Sequence, residues 1–332
     1  MTKHVVIIGN GISGITAAGS RPNKFGWPGQ DMKGVHGMYS KQDLDMLEER
    51  TSFIKHGVVV GGGLIGIELA EMLLSRKINV TFLVREESFW NRILPSEESE
   101  MINRIIRSHN IDLRLNTELG EIIGNNDGEV TSVITKDDEK IECQFVGLTV
   151  GVSPNIEFLT GSGIETDRGV LVNNFLETNA PDVYAIGDCV QHKTPPTGRR
   201  NLEQVWYTGR IMGETVAETI AGTRIQYRPG NWFNSAKFFD LEYQTYGIVN
   251  AVPGDDEDTL FFKDKKKGYA LRLNFLKHNR QLKGVNSLGL RLRHDVIDRW
   301  ITENVTVDAV LNNLNMALFD PELYSRPNLQ NL

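Results

Sequence analysis

The stretch Gly57-Val58-Val59-Val60-Gly61-Gly62-Gly63-Leu64-Ile65-Gly66 decides the fold. A short run of β-branched residues bounded by glycine suits a strand buried on both faces of a parallel sheet. It runs into a G-x-G-x-x-G turn made by Gly61, Gly63 and Gly66. Ile65, Leu69, Met72 and Leu73 then recur at helical spacing, and Ile78 to Val84 reads as a second buried strand. Strand, glycine turn, helix and strand in this order predict a βαβ unit. There the backbone approaches a pyrophosphate closely, and the helix N-terminus offers free N–H donors and the positive end of its dipole.

The second strand ends in Val84-Arg85-Glu86-Glu87. An acidic residue about 20 residues beyond the glycines accepts hydrogen bonds from the ribose hydroxyls of NAD, whereas an arginine suits the 2′-phosphate of NADP. Glu86 and Arg85 fit these two roles, and both also read as solvated loop charges, so NAD(P) is left undivided. Farther on, Met101, Ile102, Ile105 and Ile106 form another helical stripe. Ile111 to Leu115 alternates as a strand, short strands follow, and Phe145 to Val150 returns as an apolar strand. Residues 57–150 thus read as one self-contained NAD(P)-binding domain.

Upstream, Val5 to Ile8 leads into a second glycine turn, Gly9-Asn10-Gly11-Ile12-Ser13-Gly14. This unit is incomplete: a βαβ unit needs roughly 30 residues, but only Ile15 to Ala18 precede Gly19-Ser20-Arg21-Pro22. Asn23 to Gly37 is rich in glycine and proline and has no strand pattern. Downstream, Val183 to Ile186 runs into Gly187-Asp188, and residues 205–220 read as a helix. Strands follow near 233–248, 259–263, 269–276 and 281–287, then helices near 294–303 and 306–317. The charged runs Asp255 to Asp258 and Lys263 to Lys267 read as hairpin ends facing solvent. Asp240 and Glu242 read as exposed rather than catalytic.

The composition narrows the function classes. With 36 basic and 43 acidic residues the 332-residue chain carries a net charge of −7, which argues against nucleic-acid binding. An apolar content of 40% and a charged content of 24% are those of a globular protein. Two cysteines exclude a disulfide scaffold and a protein-ligated [4Fe–4S] cluster. None of the seven histidines shows metal-ligand spacing, so no metal is expected. No apolar run has the length of a membrane helix, and the N-terminal run is too short for a signal-peptide core. The expectation is a soluble, cytoplasmic α/β protein.

The segment Thr178 to Asp188 has the form T-x-x-x-x-V-Y-A-x-G-D. With the two glycine turns, it resembles the FAD motif of the two-dinucleotide-binding-domain flavoproteins, the pyridine nucleotide–disulfide oxidoreductase superfamily. Gly19-Ser20-Arg21-Pro22 and Thr149-Val150-Gly151-Val152-Ser153-Pro154-Asn155 resemble the segments that bracket the family's nucleotide domain. The likeness is greatest to rubredoxin reductases and to the flavoprotein part of NAD(P)H nitrite reductases.

This resemblance implies an α/β architecture of two Rossmann-like domains and a C-terminal α/β interface domain. The implied parts are a split FAD domain (1–56 and 151–226), the NAD(P) domain (57–150) and the C-terminal domain (227–332). It implies that Gly9, Gly11, Gly14, Gly19, Gly151 and Gly187 serve FAD and that Asp188 holds the flavin ribityl chain. It implies that Gly61, Gly63 and Gly66, with Arg85 and Glu86, serve NAD(P)H. Glu68, which completes G-x-G-x-x-G-x-E, would position the nicotinamide carboxamide; it also suits a carboxylate favoured by the helix dipole. The helix from Val205 would abut the flavin, unless Trp206 is simply core and Gly209 and Gly213 only allow close helix packing.

The FAD domain is truncated relative to the family: a helix, a strand with a ribose-binding acid and a long stretch reaching the flavin ring are missing between Gly14 and Gly19. FAD affinity should therefore fall, while the contiguous NAD(P) domain stands. Cys143 and Cys189 form no C-x-x-C or C-x4-C pair and read as packing residues. Without a dithiol, electrons would pass from NAD(P)H through flavin to an external acceptor, such as a small rubredoxin-like protein. The alternative is a flavin-poor NAD(P)-binding remnant without turnover. A homo-oligomer is a further expectation, because a shortened sheet exposes edges.

Overall fold

The computed structural model describes residues 19–264 and 268–319. The Gly9, Gly11 and Gly14 turn lies outside the described residues. The strands are β1 (Ser20–Pro22), β2 (Val35–His36), β3 (His56–Val60), β4 (Asn79–Leu83), β5 (Asp112–Arg114), β6 (Leu119–Gly124), β7 (Val130–Thr135), β8 (Lys140–Glu142) and β9 (Phe145–Leu148), followed by β10 (Val152–Pro154), β11 (Val170–Val172), β12 (Val190–His192), β13 (Phe233–Phe238), β14 (Leu241–Gly247), β15 (Glu257–Asp264), β16 (Tyr269–Leu276) and β17 (Leu282–Leu288). The α-helices are α1 (Lys41–Arg50), α2 (Leu64–Ser75), α3 (Ser96–Ser108), α4 (Trp206–Ala221), α5 (His294–Thr302) and α6 (Val307–Asn313).

The chain divides into two compact units. Among the described residues, the larger contains 22–151, 235–264 and 268–319; the smaller contains 152–234 and Gly19 to Arg21. In the larger unit β3 lies at the centre of a five-stranded sheet of order β2-β9-β3-β4-β5. The ladders β3–β4, β3–β9, β4–β5 and β2–β9 are all parallel. Val58, Val59 and Val60 are buried, with alternate residues in two different cores, which is why the run is apolar throughout rather than alternating. On one side α2 packs Ile67, Leu69, Ala70 and Leu73, while α3 adds Met101, Ile102 and Ile106. The predicted α2 stripe is thus half right: Leu69 and Leu73 are buried, Ile65 and Met72 only partly. On the other side the three-stranded sheet β6-β7-β8 contributes Leu119, Ile122, Val133 and Ile141.

The C-terminal part of this unit is a sheet of order β13-β14-β17-β16-β15, flanked by α5 through Val296, Ile297 and Trp300. Phe238, Phe239, Leu241 and Tyr243 share one apolar core with Phe82, Phe89 and Ile102 of the parallel-sheet layer. In the smaller unit the described strands form two short pairs, β1–β10 and the parallel pair β11–β12. A separate core of Val170, Val172, Leu176, Ile186, Val190, Met212 and Val216 packs α4 against them.

The unit boundaries differ from those expected in two places. Residues 22–56 fall in the unit of the second glycine turn, because Val35 and His36 add an edge strand to its sheet beside Val146 and Gly147. Leu47 and Ile54 are buried in the same core, and Arg50 donates to Glu129 at 2.7 Å. At the other end, the smaller unit continues past 227. Tyr227 is in its core and donates its N–H to Asn174 O, and Arg199 lies over the Trp232 ring. Two further expectations are corrected. Asp255 to Asp258 lead from β14 into β15, which pairs with β16 and not with β14, so they close no hairpin, whereas Lys263 lies at the end of the β15–β16 hairpin as expected. Trp206 is 47% exposed and is not a core residue.

Candidate functional site

Each of the three fingerprint glycines in the larger unit has its own physical reason. Gly61 leaves β3 with φ +113°, and a Cβ there would stand 2.5 Å from the Thr149 carbonyl oxygen. A Cβ at Gly66 would lie 2.6 Å from Gly61 O and 2.8 Å from the Phe82 ring, so Gly66 lets α2 press onto the sheet. Gly63 is different: nothing lies within 4 Å of the space its Cβ would take. It caps α2 in an extended conformation without a side-chain cap, and the first helical turn holds no acidic residue. The leading N–H groups of α2 and the positive end of its dipole therefore face open space, the arrangement that receives an anion.

That space is a cleft of about 360 Å³ at the C-terminal ends of the parallel strands, where open α/β sheets bind ligands. Gly61, Gly62 and Gly63 form its floor, with Thr149, Val150 and Gly151 beside them. Arg85 and Glu86 line it from the end of β4. Arg85 Nε donates to Glu86 Oε1 at 2.9 Å, and this hydrogen bond raises the arginine pKa further. Arg92 Nε approaches the same carboxylate at 3.6 Å. One carboxylate thus sits between two cations, and both arginine side chains remain well exposed. Arg92 lies in an irregular loop whose return to the cleft no periodicity signals. Phe25 and Trp27 also line the cleft, from the segment in which the sequence shows no pattern.

Glu68 is not among the cleft-lining residues. It sits one turn into α2 on its exposed side, where desolvation and then the neighbouring Glu71 carboxylate push its carboxyl above the ordinary value. Gly151, φ +88°, ends the strand-to-loop passage at the rim of the cleft.

The smaller unit brings together motifs far apart in sequence. Ser20 Oγ donates to Asp188 Oδ2 at 3.1 Å, and Gln204 Nε2 donates to Ser20 Oγ at 2.5 Å. Gly19 precedes this serine with φ +52° and accepts at its carbonyl from Asn155 N–H. Gly187, φ +78°, opens the tight turn that carries Asp188. Burial raises the Asp188 carboxyl pKa, and the Ser20 hydroxyl partly offsets this. Val205 caps α4 in an extended conformation with no side-chain cap, and the first turn of α4 carries no acid. Gln204 is the residue of this cluster that sequence reasoning missed; only its position just before Val205 could have pointed to it.

Cys143 and Cys189 are both buried and free, with burial pushing their thiols up to about 12 and about 11. Among the described residues no His/Cys/Asp/Glu cluster could hold a metal ion, and no helix is long and apolar enough to cross a membrane. Asp240 is exposed, and Glu242 is half-buried and paired with Arg291.

A family profile described as pyridine nucleotide-disulphide oxidoreductase matches residues 13–213. The chain belongs to that family. It is 32% identical over 238 residues to a ferredoxin–NAD(P)(+) reductase of Sphingomonas sp., an alignment covering 71% of this chain and 57% of that protein. It is 31% identical over 179 residues to the NAD(P)H nitrite reductase of Bacillus subtilis, covering 54% of this chain and 22% of that one. The fold is also that of the ferredoxin reductase for the CYP199A2 system of Rhodopseudomonas palustris. Its TM-score is 0.73 at 22% identity, over 82% of this chain and 65% of that one. The resemblance and the two-domain Rossmann-type architecture read from the motifs are borne out.

Proposed function

We propose that the chain is an FAD-dependent NAD(P)H oxidoreductase that passes electrons to an external protein acceptor. The observation that carries this reading is the open N-terminus of α2 at Gly63, facing a cleft bounded by Arg85 and Glu86. The dinucleotide pyrophosphate meets the free N–H groups of α2, and Glu86, Arg85 and Arg92 meet the adenosine ribose. Thr149, Val150 and Gly151 then border the nicotinamide side, where Glu68 on the exposed side of α2 orients the carboxamide.

The flavin-end residues of the smaller unit fit the group. Asp188 is half-buried and its raised pKa records a carboxylate lacking full compensation, which suits an acceptor for ribityl hydroxyls. Ser20 and Gln204 hold that carboxylate in place, and the uncapped start of α4 at Val205 suits the electron-rich edge of the ring system. Flavin, when bound, supplies a hydride acceptor and an outlet for single electrons. The protein keeps both thiols protonated and inert, so no dithiol relays electrons onward. The names of the ferredoxin and rubredoxin reductases among the relatives support a small redox protein, such as a ferredoxin or rubredoxin, as acceptor.

The test is the visible spectrum of the purified chain after incubation with FAD. Flavin absorbance that NADH or NADPH bleaches is the expected result. A colourless protein that still binds NAD(P)H would replace this reading with that of a flavin-poor remnant.

A further inference from the structure

We propose that Phe25 is the platform on which the adenine ring of the bound dinucleotide stacks, an assignment that rests on the reading of the cleft given above. Residues 23–34 contain no regular strand or helix, yet they are pinned. Asn23 N–H donates to Gly151 O at 3.0 Å. The Trp27 indole donates to Leu119 O at 3.1 Å. Ile122 N–H donates to Pro28 O at 2.9 Å, and Gly29 fits against Ile122 so closely that a Cβ would stand 2.1 Å from its carbonyl oxygen.

Phe25 lies between the first two anchors, and Gly26 with φ +78° makes the turn after it. Its ring meets Trp27 edge to face, centroids 5.4 Å apart and planes at 81°. The two rings are therefore not stacked face to face, and Phe25 is 64% exposed although it lines the cleft. An aromatic ring held at a ligand cleft by a fixed backbone offers its face at little cost in ordering.

The position along the cleft selects the adenine. Gly63 marks the pyrophosphate, and Arg85 and Glu86 mark the adenosine ribose. Thr117 N–H donates to Val84 O, so the loop leading to Leu119 lies directly beyond that ribose position. Trp27 is hooked to Leu119, which brings the strap to the adenosine end. A flat heterocycle there finds Phe25 as a face and Trp27 as the wall behind it, and stacking of a base on an aromatic side chain needs no hydrogen-bond readout.

The full chain and its Phe25→Ala and Phe25→Tyr variants are titrated by calorimetry with NADH, ADP-ribose and reduced nicotinamide mononucleotide. Phe25→Ala should weaken NADH and ADP-ribose about tenfold and leave the mononucleotide unchanged, whereas Phe25→Tyr keeps affinity within about twofold. ADP-ribose binding unaffected by Phe25→Ala overturns the platform, as does a loss confined to the mononucleotide, which would put the ring at the nicotinamide end. Failure of the parent chain to bind both NADH and ADP-ribose would instead overturn the reading of the cleft. Melting temperatures of the variants confirm folding, which truncation of so exposed a side chain should leave intact.

Discussion

Arg272 of β16 grips Glu98 of α3 with two prongs, Nε to Oε1 at 2.6 Å and Nη2 to Oε2 at 2.8 Å, and the side chains are 5% and 0% exposed. The guanidinium also donates to Thr259 Oγ1 and Glu97 Oε2 and lies over the Phe261 ring. This pair joins the C-terminal sheet to the nucleotide layer within one apolar core. Removing Glu98 leaves the buried Arg272 only the half-exposed Glu97 as counter-charge, so Glu98→Ala should destabilise the larger unit by about 3 kcal/mol in urea unfolding. The double variant Glu98→Leu with Arg272→Met should recover most of that loss, since it removes both desolvation costs. A Glu98→Ala effect below about 1 kcal/mol would show that the pair does not hold the two layers together.

The glycine turn predicts a separation of folding from binding. At Gly63 the φ of −119° suits any residue and nothing crowds the added Cβ, so Gly63→Ala should leave the melting temperature near that of the parent. The methyl group enters the space where the pyrophosphate is proposed to sit, and NAD(P)H affinity should drop by more than about tenfold. Gly66→Ala places its methyl 2.6 Å from Gly61 O and should cost both stability and binding. Equal effects of the two substitutions on melting temperature would remove this distinction.

The carboxylate held between Arg85 and Arg92 makes cofactor choice a matter of three side chains. With Glu86 in place the two cations are partly neutralised and the ribose diol has an acceptor. Glu86→Gln frees both arginines, so the ratio of NADPH to NADH affinity should rise by roughly tenfold. Arg85→Ala combined with Arg92→Ala should lower NADPH affinity and leave NADH within about twofold. Steady-state KM values for the two cofactors measure both ratios; a parallel change in both cofactors would sink the assignment.

How much of this was legible in the sequence depended on contiguity. The βαβ unit from Gly57 to Val84 was readable because each contact that defines it lies within a few turns of chain. The strands and helices after residue 232 were readable from local alternation and from stripes. The placement of residues 22–56 was not, because β2 is two residues long and its partner is Val146, a pairing that no local period encodes. Phe25, Trp27 and Arg92 were missed for the same reason: irregular segments carry them into the cleft, held by backbone hydrogen bonds rather than by a pattern. The flavin-end motif was the opposite case. Asp188 was singled out by its motif and Ser20 lay beside Gly19 in another, and the fold places the hydroxyl on the carboxylate.

That contact leads to a pH prediction. Burial raises the Asp188 carboxyl above the ordinary aspartate value of 3.8, with the Ser20 hydroxyl opposing. The folded state therefore holds the proton more tightly than the unfolded chain does. The contribution to stability is fully present below the unfolded value and is lost as pH rises through the raised one. Asp188→Asn has no such titration. Without flavin it should match the parent in the acid range and melt higher than the parent by a margin that grows as pH rises above about 4. Asp188→Ala should in addition weaken flavin binding, because it removes the acceptor proposed for the ribityl hydroxyls. A stabilising substitution at neutral pH that costs cofactor affinity is the behaviour of a site residue kept for binding rather than for folding. Thermal melts across this range, with and without FAD, check both halves, and a pH-independent difference between Asp188→Asn and the parent would refute the electrostatic argument.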